Sequence, residues 1–592
     1  MRPVPAVRFA RPVVTVTPVA GGGLVLESPT ALAPYRRHLG EHLQAAAASV
    51  PERAFLAERE PAGGGWRRIS YAETLGAVRA LGQALLEYGA RPERPVALLS
   101  ENSIDHALVQ LAAMHVGVPA APISPAYSLQ SRDHAKLRAI TATIDPAVIF
   151  VDDAAAYGQA LDAIGRPGLP RIVSRGEGTA SVDELRRTTP SSALERAAAS
   201  VGPDTIAKIL FTSGSTGHPK GVVNTQRMLC SNQQAIRQCW PFLADRPPVV
   251  VDWLPWSHTF GGNHNFNLVL RNRGTLYIDG GKPAPGRFDA TLENLREISP
   301  TLYFNVPRGF DMLATALEHD DPLRARFFAD LDVVFYAAAA LPQSTWERLE
   351  RAADRAGRAV AFVSAWGSTE TAPLATSVHF PIARAGVIGL PPPGTAIKLA
   401  PIGEKLELRV RGPNVTPGTW LRGGVVEPVA RDEDGFLATG DAGRLEDRDR
   451  PEKGLVFDGR LAENFKLSSG TWVSVGELRV RIIAACAPLV ADAVVAGHDR
   501  DSVGLLCFPA PGAEPAAVRA RLREGLAAHN AAHPSSSSRV ARALVLVEPP
   551  SIDSGEITDK GYLNQRGVLA RRAADVERLY AEPPGPDLVT LD

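Results

Sequence analysis

The sequence predicts an α/β protein with a large N-terminal domain, made of two α/β subdomains and a small β subdomain, followed by a smaller α+β domain. Three observations support this prediction. Amphipathic helices alternate with short apolar strands in residues 67–150 and again from residue 249, as in a parallel sheet covered by helices. From about Gly389, short strands separated by glycine and proline replace that rhythm. After Gly459 strands and helices mix, and 592 residues exceed one hydrophobic core.

The first elements follow from hydrophobic periodicity. The stretch "YAETLGAVRALGQALLEYG" (71–89) has the spacing of an amphipathic helix, and "RPVALLS" (94–100) and "PAVIFV" (146–151) are apolar enough for buried strands. The longest apolar run, residues 108–126, contains His115 and three prolines, so it predicts a helix, a buried strand and a turn. We therefore expect no membrane span.

The later elements repeat the pattern. Residues 249–255, 300–307 and 331–337 predict strands, and residues 290–299 predict a helix. The short apolar runs of residues 396–415 predict the small β subdomain. In the last part of the chain, "PAAVRARLREGLAAHN" predicts a helix among three strands.

Composition excludes several classes of protein. Lys+Arg and Asp+Glu both number 64, so no strong positive field attracts nucleic acid. Prolines interrupt the apolar N-terminus before a signal sequence could form. The cysteines have neither disulfide nor metal-ligand spacing, which favours a reducing, cytoplasmic setting; they are Cys230, Cys239, Cys486 and Cys507. We expect a monomer or a homodimer.

The stretch "FTSGSTGHPKG" (211–221) has the composition of a phosphate-binding loop. Its glycines, including Gly214 and Gly217, allow backbone N–H groups to approach a polyanion, and Lys220 adds a positive charge. Lys220 follows Pro219 and precedes Gly221, which does not fit the Walker A pattern. The hydroxyl groups that can donate to phosphate oxygens are those of Thr212, Ser213, Ser215 and Thr216.

Five further motifs follow this loop in a fixed order: "LPWSHTFGG" from Leu254, "AWGSTET" from Ala365, "TGDAGRLED" from Thr439, "DGRLAENFKLSSG" from Asp458 and "GEITDKGYLNQR" from Gly555. Together with the loop they resemble the motifs of the adenylate-forming superfamily, which includes acyl-CoA synthetases, peptide-synthetase adenylation domains and luciferases. The resemblance covers about Phe55 to Arg566. It implies an enzyme that joins a carboxylic acid to the α-phosphate of ATP and then transfers the acyl group to coenzyme A.

The resemblance implies roles for the nucleotide motifs. Trp366 is expected against the adenine, with Gly367 and Ser368 in the same turn, and Thr369 on the α-phosphate. Glu370, together with Thr216, is expected to bind Mg²⁺, the hard cation that neutralises the triphosphate. The residues expected to hold the ribose are Asp441 and Arg460.

The resemblance also implies a mobile C-terminal domain that presents two faces to the site. It predicts an N-terminal domain over 1–459, a hinge over 460–465 and a lid domain over 466–592. Lys560, one of only nine lysines, is expected to stabilise charge on the α-phosphate during adenylation. Lys466 and Gly470 belong to the thioester-forming face, where coenzyme A enters. The usual Lys or Asp of the hinge is replaced by Ala462.

The acyl pocket is expected between the nucleotide motifs. His258 matches the family histidine beside the acid carboxylate, although a core histidine remains an alternative. Asn263 and its neighbours His264, Asn265 and Asn267 could meet ring substituents or could equally satisfy buried backbone. The remaining predicted pocket residues are Tyr303, Ala338, Ala339 and Ala365.

Four longer runs resemble bacterial feruloyl-CoA synthetases: "VNTQRMLCSNQQ", "DWLPWSHTFGGNHNFN", "FKLSSGTWVSVGELR" and "PSIDSGEITDKGYLNQR". This resemblance implies a hydroxycinnamate substrate, in the route that leads from lignin aromatics to vanillin-type aldehydes. The alternatives are a medium- or long-chain fatty acyl-CoA synthetase, an adenylation module that loads a carrier protein, and an adenylate-binding protein without catalysis.

Overall fold

The structure is a computed structural model, and it describes residues 7–60, 64–213, 219–284, 286–559 and 561–591. Its strands, numbered in chain order, are β1 (Thr15–Val19), β2 (Gly23–Glu27), β3 (Ala54–Arg59), β4 (Trp66–Ser70), β5 (Val96–Leu99), β6 (Ala120–Pro122), β7 (Val148–Asp153), β8 (Arg171–Arg175), β9 (Ala180–Ser181), β10 (Ile206–Ser213), β11 (Pro219–Thr225), β12 (Val249–Asp252), β13 (Thr275–Ile278), β14 (Leu302–Asn305), β15 (Val333–Tyr336), β16 (Ala361–Gly367), β17 (Leu374–Ser377), β18 (Val387–Gly389), β19 (Ala396–Ile402), β20 (Lys405–Arg411), β21 (Gly418–Leu421), β22 (Val425–Pro428), β23 (Leu437–Leu445), β24 (Leu455–Arg460), β25 (Phe465–Lys466), β26 (Trp472–Val473), β27 (Val490–Ala496), β28 (Val503–Pro509), β29 (Val540–Val545) and β30 (Leu588–Thr590).

The α-helices of the described residues are α1 (Leu39–Ser49), α2 (Tyr71–Glu87), α3 (Ile104–His115), α4 (Ala126–Leu129), α5 (Ala135–Ile144), α6 (Gly158–Ile164), α7 (Val182–Leu185), α8 (Ser192–Ser200), α9 (Gln226–Cys239), α10 (Phe266–Arg271), α11 (Asp289–Glu297), α12 (Pro307–His319), α13 (Asp321–Phe328), α14 (Gln343–Arg355), α15 (Val475–Cys486), α16 (Pro515–Ala532), α17 (Gln565–Arg571) and α18 (Ala573–Tyr580). None of these helices is long and apolar enough to cross a bilayer.

The first layer of the N-terminal domain is a nine-stranded sheet in the order β22-β21-β11-β10-β6-β5-β7-β8-β9. Six strands of this sheet run parallel to one another: β10, β6, β5, β7, β8 and β9. The pairs β10–β11, β11–β21 and β21–β22 are antiparallel. The parallel part confirms the expectation drawn from alternating helices and strands. The glycine-rich loop connects β10 and β11, where the parallel part of this sheet meets the antiparallel part.

The second layer consists of two four-stranded sheets, β12-β13-β3-β4 and β14-β15-β16-β17. The backbone N–H of Thr301 donates to the Val249 carbonyl (2.9 Å), which links the start of β12 to the chain entering β14. The largest hydrophobic core lies between the two layers and includes buried residues of α1, α2, α3, α9 and α10. A separate core covers the other face of β14 and β15.

The predicted helix over 71–89 forms as α2, and its first turn shows why it begins there. The Ser70 hydroxyl accepts a hydrogen bond from the Glu73 N–H (3.2 Å), and the Glu73 carboxylate accepts one from the Ser70 N–H (2.8 Å). This reciprocal capping satisfies two backbone donors that the helix itself leaves free. The buried face of α2 packs against α3, and both helices cover the nine-stranded sheet.

The β subdomain is a seven-stranded sheet in the order β1-β2-β19-β20-β23-β24-β18. It differs from the expectation in two ways. The N-terminal strands β1 and β2 join it, with Leu26 opposite Ile397. The hairpin of β21 and β22, which lies within the predicted β subdomain along the chain, pairs instead with β11 of the nine-stranded sheet.

The C-terminal part is an α+β unit, as expected. Its sheet has the order β27-β28-β29-β30, with α15 and α16 on one face and α17 and α18 on the other. The hairpin of β25 and β26 precedes it, and Phe465 and Val473 of the hairpin are buried in the same core as α15. A turn between Arg460 and Phe465 connects the two parts of the chain.

Candidate active site

The glycine-rich loop is anchored by two antiparallel strands. Thr212 of β10 lies opposite Lys220 of β11, so the ends of the loop are held one strand spacing apart. Thr212 is half-buried and Lys220 is exposed. Of Ser213 the structure describes the backbone alone. The other predicted phosphate-binding residues lie outside the described residues; they are Gly214, Ser215, Thr216 and Gly217.

Three predicted nucleotide-binding side chains meet where the end of β16, the middle of β23 and the end of β24 come together. The indole N–H of Trp366 donates to Asp441 Oδ2 (2.8 Å), and Arg460 Nε lies 3.7 Å from Asp441 Oδ1. Asp441 and Arg460 are directly opposite each other on adjacent strands. Burial raises the pKa of the Asp441 carboxyl, while the Trp366 hydrogen bond and the Arg460 charge act in the opposite direction.

The turn that follows Trp366 is tightly packed. A Cβ on Gly367 would lie 1.7 Å from the Pro373 carbonyl oxygen, so only glycine fits there without a shift of the backbone. The Ser368 N–H donates to the Thr371 hydroxyl (2.9 Å). Thr369–Thr371 forms a single 3₁₀ turn, and this turn places Glu370 partly exposed beside the buried Thr369.

Buried amide side chains connect this turn to the phosphate loop. Asn224, on β11, donates to the Thr369 carbonyl (3.2 Å) and accepts from Asn263 Nδ2 (2.7 Å). Asn263 also donates to the Thr259 hydroxyl (3.0 Å), and its own side chain is fully buried. The network therefore fixes the relative positions of the strand after the phosphate loop, the turn after Trp366 and the segment after His258.

His258 lies at the start of an irregular helical segment. The Gly262 N–H donates to the His258 carbonyl (2.8 Å), and Phe260–Asn265 forms a turn of π-helix, a feature that is frequent at functional sites. The imidazole Nε2 of His258 is 3.3 Å from the carboxylate of Asp559. Asp559 comes from the tail of the chain and immediately precedes Lys560, which lies outside the described residues.

The tail segment that carries Asp559 is docked on the N-terminal domain. Asp553 accepts hydrogen bonds from the Ser131 hydroxyl (2.6 Å) and the Arg132 N–H (3.0 Å). Lys136 Nζ donates to the Ile552 carbonyl (2.6 Å), and Ile552 packs in the core of the nine-stranded sheet. In this arrangement the tail segment, with Asp559, faces the site.

An aromatic cluster surrounds the segment after His258. Phe260 lies 5.6 Å from Phe335 and 6.4 Å from Phe304 between ring centroids, and His264 lies 5.0 Å from Phe335. Phe304 and Phe335 are buried, whereas Phe260 is half-buried. Ala365, also half-buried, packs against the same core.

The other predicted pocket residues are placed differently. Tyr303 points to the opposite side of β14 from Phe304, because side chains alternate along a strand, and packs against Phe310 and Phe327. Its hydroxyl accepts from Asn305 Nδ2 (3.1 Å). Ala338 and Ala339 are exposed after β15, and Ala338 has a φ of 72°, a conformation that favours glycine.

The neighbours of Asn263 are held within the protein. Asn265 Nδ2 donates to Asp252 Oδ2 (2.9 Å), and His264 Nδ1 lies 2.9 Å from Asn265 Oδ1. Burial raises the pKa of Asp252 to about 7. Asn267 is fully buried, and neither its Oδ1 nor its Nδ2 has a hydrogen-bond partner among the described residues.

The hairpin predicted for the thioester step lies in the C-terminal unit. Lys466 Nζ is 5.1 Å from the centroid of the Trp472 ring, and Lys466 is exposed. Gly470, at the hairpin turn, has a φ of 82°. The Ser468 hydroxyl donates to Asp501, which ties the hairpin to the loop before β28.

The structure adds two residues that the sequence did not indicate. One is Asp559, and its position next to the predicted catalytic Lys560 is a sequence signal that could have indicated it. The other is Lys208 of β10, which is fully buried, donates to the Gly262 carbonyl (2.7 Å) and lies 5.9 Å from the Phe266 ring. Burial lowers the pKa of Lys208 to about 7.

Comparisons with known proteins show the family of the chain. Residues 43–420 match the model of the AMP-binding enzyme family, and residues 466–583 match the AMP-binding enzyme C-terminal domain. A 3-[(3aS,4S,7aS)-7a-methyl-1,5-dioxo-octahydro-1H-inden-4-yl]propanoyl:CoA ligase of Mycobacterium tuberculosis is 28% identical over 78% of this chain and 88% of its own length. An indoleacetate–CoA ligase of Aromatoleum aromaticum is 27% identical over 73% of this chain and 81% of its own length.

Solved structures share the fold. The crystal structure of an anthranilate CoA ligase in complex with anthranoyl-AMP superposes with a TM-score of 0.70 at 19% identity, covering 92% of this chain and 98% of the other. The family match spans more than half of the sequence, and it includes the loop, the Trp366 turn and the segment of His258. The chain therefore belongs to the AMP-binding enzyme family.

Proposed function

We propose that this AMP-forming acid–CoA ligase acts on an aromatic acid of the hydroxycinnamate class, with ferulate, p-coumarate and caffeate as the first candidates. The observation that carries the proposal is the aromatic cluster of Phe260, Phe304 and Phe335, which lies beside the segment of His258. Flat rings pack favourably against aromatic side chains in offset or edge-to-face arrangements. The long runs that resemble feruloyl-CoA synthetases support the same class of acid.

In the first step, a carboxylate oxygen of the acid attacks the α-phosphorus of ATP, and the bond to diphosphate breaks. Asp441 accepts hydrogen bonds from the ribose hydroxyls, and Arg460 supports the same sugar. Thr369 and the hydroxyls of the glycine-rich loop contact the phosphates. Lys560 stabilises the negative charge that develops at the α-phosphate.

Magnesium is the metal that this step needs. The carboxylate of Glu370 is the hard oxygen donor that Mg²⁺ prefers, and its partly exposed position beside the nucleotide turn leaves it accessible to an ion. Glu370, with Thr216 of the loop, would hold the ion, which neutralises triphosphate charge when bound. The backbone of Glu370 is held in place, because its carbonyl accepts a hydrogen bond from the Thr416 N–H (2.8 Å).

In the second step, the sulfur of coenzyme A attacks the acyl carbon, AMP leaves and the thiol proton is released. The hinge over 460–465 turns the C-terminal domain so that Lys466 and Gly470 replace the tail segment at the site. His258 remains beside the carboxyl group of the acid in both steps. The products are the aryl-CoA thioester, AMP and diphosphate.

The test is diphosphate release from Mg-ATP with an acid panel that contains ferulate, p-coumarate, caffeate and dodecanoate. We expect the hydroxycinnamates to give kcat/KM values at least about tenfold above dodecanoate, equivalent to about 1.4 kcal/mol. Preference for dodecanoate would assign the chain to fatty acids. No release with any acid would refute the proposal.

A Lys560→Ala variant tests the catalytic assignment separately. We expect it to lose acid-dependent diphosphate release while it still forms the thioester from supplied feruloyl-adenylate and coenzyme A. Equal loss of both steps would contradict the role of Lys560 in adenylation alone.

A further inference from the structure

A cavity of about 210 Å³ lies in the N-terminal domain where α1 and the last turns of α9 and α10 meet. It is distinct from the site described above. Helix α9 begins next to β11 at Gln226 and reaches the cavity at Arg237, about 16 Å further along its axis. The charged and titratable residues of its lining are Arg36, His42, Arg53, Arg237, Arg271 and Arg273.

Within the described part of the chain, the arginines of this cavity have no carboxylate partners. The lining contains neither Asp nor Glu, and none of its five arginines forms an ion pair with an acid among the described residues. Glu41, on α1, is paired with Arg37 (3.0 Å), which does not line the cavity. Arg53, at the exposed rim of the cavity, donates to the Arg273 carbonyl (3.0 Å). A carbonyl is neutral, so this contact does not neutralise the positive charge of Arg53.

The inner part of the cavity is electrostatically unfavourable as it stands. Arg271 is half-buried and donates to Gln234 Oε1; burial and the neighbouring guanidinium groups, above all that of Arg237, lower its pKa to about 10. His42 is 5% exposed, and its Nε2 has no hydrogen-bond partner in the described part of the chain. Burial and the Arg271 charge lower the pKa of His42 to about 3.

We propose that this cavity binds a small, multiply charged oxyanion of the phosphate class, inorganic phosphate or diphosphate. Planar guanidinium groups donate paired hydrogen bonds to such oxyanions, and several arginines around one anion would replace the missing carboxylates. The cavity volume is more than ten times the roughly 15 Å³ that one water needs, so an anion of this size fits. The proposal is independent of the acid on which the enzyme acts.

The test is isothermal titration of the full chain with phosphate and with diphosphate, each with saturating ATP and no acid present, so that the nucleotide site and the phosphate-binding loop are both filled. The variant Arg237→Gln/Arg271→Gln removes the two inner charges. The control Arg351→Gln/Arg355→Gln removes two exposed charges of α14, and neither residue lines the cavity. A second variant, Arg36→Gln, changes one exposed rim residue and leaves the buried packing intact.

We expect one anion to bind per chain and the inner double variant to weaken binding by about tenfold or more, since charged hydrogen bonds are lost. Arg36→Gln should weaken binding by a smaller factor, and the control should bind as the wild type does. The relative affinities of phosphate and diphosphate identify the natural size of the anion. Unchanged affinity in both cavity variants, or no binding by the wild type, would overturn the proposal.

Discussion

At the scale of single residues, the site depends on side chains that are held by specific neighbours. Asp441 is held by Trp366 through one oxygen, and its other oxygen remains 3.7 Å from the more exposed Arg460. His258 faces Asp559, whose side chain is 4% exposed. Because buried charged groups are costly when unpaired, these contacts make the position of each group sensitive to its neighbour.

The first prediction concerns Asp559. Asp559→Asn keeps the shape of the side chain and removes its charge, so the tail segment should dock less firmly against His258. We expect acid-dependent diphosphate release to fall by about ten- to a hundredfold, the range that a charged hydrogen bond of about 1.5–3 kcal/mol gives. Thioester formation from supplied acyl-adenylate should be unchanged.

Measurement of the two half-reactions on one enzyme preparation checks this. The control is Asp587→Asn, which removes a carboxylate of the same C-terminal unit that pairs with Arg578. A variant that slows both half-reactions equally would show that Asp559 has only a structural role.

The second prediction concerns the buried Lys208, whose folded-state pKa of about 7 lies below its value of about 10.4 in an unfolded chain. Between these two values the unfolded state binds more protons than the folded state. The free energy of unfolding therefore rises with pH in this window, and the cost of burying the charge is greatest below about pH 7.

Urea unfolding of the wild type and of Lys208→Met, each at about pH 7.5 and about pH 9.5, measures this effect. We expect the wild type to gain up to about 2 kcal/mol relative to the variant at the higher pH, because one titrating group contributes at most about 1.4 kcal/mol per pH unit. All other groups titrate in both proteins and cancel. A difference that does not change with pH would contradict a depressed lysine pKa.

At the scale of elements, the site is built from strand ends and the turns that follow them. The glycine-rich loop follows β10, the Trp366 turn follows β16, and Phe304 and Phe335 belong to β14 and β15. Binding groups collect at such edges in sheets with parallel strands. The Gly367 turn is the tightest of these points, since the Pro373 carbonyl occupies the space of a side chain.

The third prediction is therefore made for Gly367→Ala. The added methyl group forces the turn to move, and Trp366 moves with it relative to Asp441. We expect adenylation to fall by on the order of a hundredfold, as a displacement of about 1 Å in a site can cause, with a raised KM for ATP. Steady-state kinetics together with a thermal melt separate this effect from unfolding.

The matched control is Gly76→Ala, in the exposed middle of α2, where a Cβ meets nothing within 4 Å. Alanine should raise helix stability there by about 1 kcal/mol and leave turnover unchanged. If Gly367→Ala were as active as this control, the turn would not position the nucleotide residues.

Local signals account for most elements and for part of the site. Ser70 and Glu73 mark the start of α2, and the alternation of apolar strands and helices indicates the parallel sheet. The pairing of Leu26 with Ile397 could not be predicted, because the two residues are distant in sequence and no local pattern selects the partner of a strand. The contact between Asp559 and His258 could not be predicted either, because it depends on how the tail docks on the N-terminal domain. The burial of Lys208 is unexpected because lysine side chains are usually exposed.

At the scale of the whole molecule, the tail contacts the N-terminal domain through several polar contacts and through the buried side chain of Ile552. The Asp553 carboxylate accepts hydrogen bonds from Ser131 and Arg132, and the Ile552 carbonyl accepts one from Lys136. Asp559 lies beside His258. The turn between β24 and β25 leads from one part of the chain to the other, and the Ala462 carbonyl accepts from Arg566 Nε (3.0 Å). A reorientation of the C-terminal unit has to break these contacts.

The fourth prediction tests the proposed hinge. Ala462→Pro restricts the backbone at residue 462 and at the residue before it. We expect diphosphate release to stay near the wild-type rate and thioester formation from supplied acyl-adenylate to fall by at least about tenfold, equivalent to about 1.4 kcal/mol. An alanine-to-glycine change at the same position should preserve both steps. Equal rates of thioester formation in Ala462→Pro and wild type would place the pivot elsewhere.

The strand pair β1 and β2 has a practical consequence for anyone who shortens this chain. The outer strand contains Pro18, which lacks an N–H group, and thus offers a poor template for another molecule. Removal of residues up to Glu27 would uncover the edge of β19 over Ala396–Leu399, the residues that pair with β2 and that include no proline, and would leave their main-chain groups on that side unpaired. We expect the truncated protein to self-associate through that exposed edge.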